Sequence, residues 1–128
     1  MDFKAVKLAQ SRAYAPYSNF KVGAAILMKD GTIVHGCNVE NASYGLSNCA
    51  ERSALFSLVS QGLNPKDIVS ITVIGDTDGP ISPCGACRQV MYELLPKDAK
   101  VILTNQKGDV LEMTKESLLP YGFDLKER

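Results

Sequence analysis

Ile68-Val69-Ser70-Ile71-Thr72-Val73-Ile74 is a nearly unbroken run of apolar and β-branched residues. A strand with one wet face alternates in polarity, whereas a run of this kind belongs to a strand covered on both faces, near the centre of a sheet. Before it, Phe20 to Met28 and Thr32 to Val39 read as strands joined by Lys29-Asp30-Gly31, and Asp-Gly between two β-like runs is a hairpin signal. After it, Lys100 to Thr104 and Val110 to Met113 read as short strands, with Asn105-Gln106-Lys107-Gly108 turning between them.

Helical spacing fills the gaps. Ala5, Leu8, Ala9 and Ala13 fall at helical intervals within residues 2 to 14, so a first helix is expected to end near Tyr14, ahead of Pro16. A second should run from about Cys49 to Gln61, capped by Ser47 or Asn48 and closed by Gly62. A third should open with Ser82 as cap and Pro83 in its first turn, and continue through Val90, Met91, Leu94 and Leu95 to Pro96. The tail from Thr114 to Arg128 has room for one helical turn before Pro120, and the small, polar stretch from Glu40 to Asn48 reads as a loop. Strands alternating with helices predict an α/β fold: one domain over residues 1–128, three-layer α/β/α, with a mixed five-stranded sheet.

Composition narrows the function. The chain has 128 residues, 45% of them hydrophobic, enough for a core without disulfide support. Its 14 Lys plus Arg balance 14 Asp plus Glu, and no basic block appears, which disfavours a nucleic-acid partner. Near-zero net charge permits close packing of identical copies. Met1-Asp2-Phe3-Lys4 does not begin a signal peptide, and no apolar stretch is long enough to span a membrane, so a soluble, cytoplasmic chain is expected. Four cysteines in such a compartment are more often metal ligands or catalytic groups than disulfides.

Three of these cysteines form a pattern. Cys84-Gly85-Ala86-Cys87 has the two-residue spacing that brings both sulfurs to one side of a helix start, and Cys49 stands at another helix start. Free N–H groups and the positive end of the helix dipole favour thiolate at both places. Three protein ligands leave the fourth position on Zn²⁺ open for water, which is the catalytic arrangement; four ligands would close it into a structural site. Cys37 lies in a strand pattern away from that short spacing and reads as a small buried residue. A redox pair remains an alternative for Cys84 and Cys87, although no aromatic-flanked redox context precedes them.

Glu51 stands two residues after Cys49, and inside a helix their side chains would diverge by about 200°. In the first turn the restriction relaxes, so Cys49 can hold metal while Glu51 reaches above the open position as a proton carrier; by itself the same pattern fits an ordinary first-turn carboxylate. Three thiolates give the centre a net negative charge, and Arg52 is placed to hydrogen-bond the sulfurs and offset it, a solvated helix-surface arginine being the equal alternative.

With these residues in place, the chain resembles the short-chain, homotetrameric cytidine deaminases. The resemblance rests on Pro16-Tyr17-Ser18-Asn19-Phe20-Lys21-Val22-Gly23-Ala24-Ala25, Asn38-Val39-Glu40-Asn41, Cys49-Ala50-Glu51-Arg52, Pro83-Cys84-Gly85-Ala86-Cys87-Arg88-Gln89 and Leu118-Leu119-Pro120-Tyr121-Gly122-Phe123. Cys49 takes the place where other zinc deaminases carry His, a departure typical of the short tetrameric group and unlike the nucleic-acid-editing branch. The resemblance implies Zn²⁺ on Cys49, Cys84 and Cys87, with Glu51 moving protons as water replaces the amine at C4 of cytosine. Cytidine and 2′-deoxycytidine would become uridine and 2′-deoxyuridine with release of ammonia, a step of pyrimidine salvage.

It further implies that Asn38 and Glu40 hold the ribose hydroxyls, that Phe20 packs near the base, and that the Ala50 backbone meets the pyrimidine amide edge. Ser82 would lend a carbonyl to the departing amine, while Tyr44 and Phe123 would reach a neighbouring subunit's site, making the active site complete only in the oligomer. Taken singly, Phe20 also fits a strand-start core residue, Asn38 and Glu40 a polar strand end, and Phe123 a tail anchor. His35, the only histidine, reads as a strand residue without chemistry. Two other functions remain for comparison: deamination of another cytosine nucleoside of the blasticidin type, and a structural zinc module using all four cysteines.

Overall fold

The computed structural model describes residues 3–125; Met1, Asp2 and residues 126–128, at the ends of the expected first helix and tail, lie outside the described residues. Ile68–Gly75 is β3, the third of five strands in the order β2-β1-β3-β4-β5. From Ser70 to Gly75 every residue is buried, as the continuous apolar run requires. β1 (Val22–Met28) pairs antiparallel with both β2 (Ile33–Cys37) and β3. β3 runs parallel to β4 (Lys100–Asn105), which pairs antiparallel with β5 (Val110–Met113). The sheet is mixed, as expected.

The two kinds of connection follow from the pairing. β1 and β2 are joined by a tight hairpin in which Gly31 takes φ 90° and donates to the Met28 carbonyl at 3.0 Å. Parallel neighbours need a crossover, and α3 (Gly85–Leu94) supplies it between β3 and β4. α2 (Ala50–Ser60) packs against β2 and β1 on the same face, where Ala54, Leu55 and Leu58 meet Ala24, Ile26, Ile71, Val73 and Met91 in the main core. α1 (Lys4–Ser11) covers the other face with Val6 against Ala25 and Ile74. Each fully buried Leu in such a core, cut back to Ala, costs about 2–5 kcal/mol.

Two details differ from the sequence reading. α1 stops at Ser11, three residues early, because Tyr14 joins the sheet rim instead: its N–H donates to Asn38 O at 3.0 Å, and its carbonyl accepts from Glu40 N at 2.8 Å. The stretch from Glu40 to Asn48 holds a short 3₁₀ turn, Tyr44–Leu46, and is closed by paired backbone bonds between Val39 and Asn48, each 3.0 Å. α4 (Lys115–Leu118) is the expected single turn before Pro120. Among the described residues no helix is long and apolar enough to cross a membrane.

Candidate metal centre and substrate cavity

Two helix starts converge on one point. Cys49 and Cys84 are the N-cap residues of α2 and α3, both with extended backbones (φ −78°, ψ 157° and φ −68°, ψ 162°). Neither uses its side chain as a cap, so each sulfur is free for another partner while lying beside first-turn N–H groups. This corrects the expected boundaries: Cys49, not Ser47 or Asn48, precedes α2, and Cys84, not Ser82, precedes α3. Local capping preference favours Ser and Asn; the meeting of the two cysteines is a long-range contact that such preference does not register.

Cys87 is the third residue of α3, and an N-cap side chain lies beside the third helical residue, the relation that closes a capping box. Cys84 Sγ is 3.5 Å from Cys87 Sγ and 3.7 Å from Cys49 Sγ, and all three sulfurs lie within 4.8 Å of one another. A disulfide would be about 2.05 Å, and all four cysteines are free. Tetrahedral zinc with Zn–S bonds of about 2.3 Å sets its sulfurs about 3.8 Å apart, close to the spacing present. Three soft sulfur donors with one direction left open therefore fit Zn²⁺. Cys37, at the end of β2, is outside the group and half-buried rather than fully buried as expected; the described residues do not form a four-cysteine module.

Arg52 is the third residue of α2, the place that Cys87 holds on α3, and its Nη2 donates to Cys49 Sγ at 3.3 Å. The hydrogen bond from Cys87, and then Arg52, bring the Cys49 pKa down to about 5, so Cys49 is a thiolate at neutral pH. Cys87 is pushed up, first by its hydrogen bond to that thiolate and then by burial. A cation binding here displaces the proton that Cys87 keeps. Glu51, the second residue of α2, is only 4% exposed. Burial, and then the charge of Cys49, raise its pKa, so it holds a proton more readily than a free carboxylate.

Cys49, Ala50, Glu51 and Cys84 line a cavity of ≈ 450 Å³ together with Phe20, Asn38, Glu40 and Ser82. Asn38 spans the entrance to β1, its Oδ1 accepting from Val22 N and its Nδ2 donating to Phe20 O, both at 2.8 Å. Glu40 accepts from Tyr17 N at 3.0 Å, from Ser18 N at 3.1 Å and from Ser18 Oγ; Ser18 chiefly keeps its pKa low. Both residues thus hold the segment from Tyr17 to Val22 as well as facing the cavity.

Tyr44 and Phe123 are not brought to it. Tyr44 is 76% exposed, edge-on to Tyr17 with ring centroids 6.1 Å apart, over a separate hollow that also involves Glu40 and Ser47. Phe123 is 50% exposed, its carbonyl held by Gln89 Nε2 at 3.1 Å.

Sequence reasoning missed Thr77 and Ile81, which also line the cavity. Their placement depends on two residues distant in sequence. Gly75 leaves room where a Cβ would press on Ile81 and approach Phe20. Asn105, 2% exposed, holds the loop by donating to Thr77 O at 2.9 Å and Asp78 O at 3.2 Å. The turn signal at Asn105 was visible; its reach of nearly thirty residues was not.

The family model described as "Cytidine and deoxycytidylate deaminase zinc-binding region" matches residues 3–104, a span containing all three clustered cysteines and Glu51. The chain belongs to the cytidine deaminase family. A cytidine deaminase of Halalkalibacterium halodurans is 56% identical over 119 residues, covering 93% of this chain and 89% of that protein. The crystal structure of cytidine deaminase from Burkholderia pseudomallei superposes with a TM-score of 0.91 at 58% identity, covering 94% of this chain and 95% of that one. The enzyme from Mycobacterium leprae, at 40% identity, gives 0.75, with coverage of 91% and 92%.

Proposed function

We propose that this chain, acting as a single domain, hydrolytically deaminates cytidine and 2′-deoxycytidine in pyrimidine salvage. The observation that carries the reading is a buried Glu51 beside three sulfurs at zinc spacing, within one cavity that also presents Asn38 and Glu40. The names of the relatives point to the same base.

Cys49, Cys84 and Cys87 would hold the zinc ion, which when bound supplies a Lewis acid that activates water for addition to C4 of the cytosine ring. Glu51 accepts a proton from that water and passes protons to N3 and then to the exocyclic amine, so that water is consumed and ammonia leaves. Burial, and then the charge of Cys49, raise its pKa, the direction that suits a group which must both take and give a proton. Arg52 offsets the charge of the sulfurs. The Ala50 backbone meets the amide edge of the base, Phe20 packs beside the ring, and the Ser82 carbonyl accepts from the departing amine. Asn38 and Glu40 take the sugar hydroxyls, and Glu40 stays ionised to do so because Ser18 lowers its pKa.

The working form is a homotetramer of the cytoplasm, where a reducing milieu keeps free thiolates available to metal. Tyr44 and Phe123 are exposed and do not line the chain's own cavity, and Phe56, Val59, Val90 and Leu94 line an apolar groove of ≈ 440 Å³ between α2 and α3, surfaces suited to a second copy of this chain. Zinc-loaded protein given cytidine or 2′-deoxycytidine should produce the ultraviolet change of conversion to the uracil nucleoside. Full zinc content without uridine sinks the reading, and a monomer by sedimentation sinks the assembly.

A further inference from the structure

Arg88 is part of neither the sulfur cluster nor the cavity wall, yet its guanidinium donates to three acceptors in two separate parts of the chain. Nε donates to Pro83 O at 2.8 Å, Nη2 to Ser82 Oγ at 2.8 Å and Nη1 to Leu118 O at 2.9 Å. Pro83 and Ser82 belong to the loop that enters α3 beside the zinc ligands, and Ser82 lines the cavity. Leu118 ends α4, where a helix leaves carbonyls without intrahelical partners. A planar fork of five N–H donors satisfies three scattered acceptors in one fixed geometry, which a point-charge ammonium does not do.

The tail beyond Leu118 is held by the same helix. Gln89, the next residue, donates to Phe123 O at 3.1 Å. Tyr92, one turn after Arg88, lies so close to Gly122 that a Cβ there would stand 2.8 Å from the ring. Lys115 Nζ sits 5.1 Å from the centre of that ring, on the helix that starts the tail. The first turns of α3 thus carry a zinc ligand, the anchor of the Ser82 loop and the seat of the tail on one rigid element.

We propose that Arg88 is a positioning residue for the reaction: it brackets the Ser82 carbonyl from both sides, through Ser82 Oγ and Pro83 O, and ties that wall of the cavity to the tail that carries Phe123. The proposal rests on the reading of Ser82 as the acceptor for the departing amine. Contacts to the amine strengthen as it leaves, so loosening Ser82 lowers kcat more than it raises KM. A displacement of even about 1 Å at such a group costs up to about 100-fold in rate.

The test compares Arg88→Gln, Arg88→Lys and Ser82→Ala with the parent enzyme for zinc content, kcat and KM on cytidine, together with hydrogen exchange of the amides in residues 118–123. Expected are full zinc content in all variants, kcat lower by about 10- to 100-fold with KM within about threefold for Arg88→Gln, and little rescue by Lys. Exchange of the tail amides should rise in both Arg88 variants and stay unchanged in Ser82→Ala, which removes one arm of the bracket and should lower kcat by less. Parent-like kcat in Arg88→Gln, full rescue by Lys, or unchanged tail exchange overturns the proposal. Should Arg88→Gln fail to fold, Arg88→Lys decides it by the same readings. A parent enzyme inactive on cytidine would defeat the functional reading while the exchange experiment still reported on the tether.

Discussion

The starts of α2 and α3 are built alike and do different work. Each has a cysteine at the N-cap and, at the third helical position, a group in contact with a cysteine sulfur: Arg52 on α2, Cys87 on α3. At the first position stand Ala50 and Gly85, and at the second Glu51 and Ala86. One framework thus places a sulfur with an acid and a cation on α2, and a pair of sulfurs on α3. The helix N-terminus supplies geometry and a favourable field for thiolates, while the second and third helical residues decide which further groups stand beside the cysteine.

The comparison can be broken hardest at α3. Cys87→Ala should reduce bound zinc from one per chain to near zero and abolish turnover, as read by metal analysis and the cytidine assay, since two remaining sulfurs do not make a zinc site. Glu51→Gln should leave zinc in place and lower kcat by about 10²–10⁴-fold, separating proton transfer from metal holding on α2. Arg52→Gln should weaken zinc retention against a chelator by about 10- to 100-fold. In metal-free protein, alkylation of Cys49 should persist at acidic pH down to about 5, because its pKa is lowered and the thiolate survives to that point; Arg52→Gln should move this limit upward.

Smaller effects test how each helix is seated. Gly36 on β2 lies under the first turns of α2, and a Cβ there would overlap Ala50 O and Ala54 N, both backbone atoms that cannot swing aside. Gly36→Ala should cost about 1–3 kcal/mol by thermal or urea unfolding. Gly85 opens α3 with open space around it, no atom lying within 4 Å of the place a Cβ would take, so Gly85→Ala should change stability by less than about 0.5 kcal/mol. Equal effects at the two glycines would mean that the helices are not seated differently.

The sulfur pattern was legible because its chemistry is short-range: Cys84 and Cys87 are three residues apart, and Cys49, Glu51 and Arg52 share one turn. The central strand was legible because burial on both faces removes the need for alternation from Ser70 to Gly75. The helix boundaries were less so. Ser47, Asn48 and Ser82 are good local caps, yet Cys49 and Cys84 hold the caps, as the sulfurs meet across 35 residues.

By itself, then, the sequence determined the five strands, the three cysteines that cluster and the acid beside them, since periodicity and spacing express forces acting over a turn or a strand. Tertiary structure alone decided that Cys37 is only half-buried and that Thr77 and Ile81 line the cavity. It also decided that Asn38 and Glu40 brace the segment before β1 and that Arg88 links the Ser82 loop to the tail. The bonds of Asn38, Glu40 and Arg88 depend on which distant backbone groups are left without partners once the sheet and helices have packed, and a polar group must find its partner wherever the fold places one.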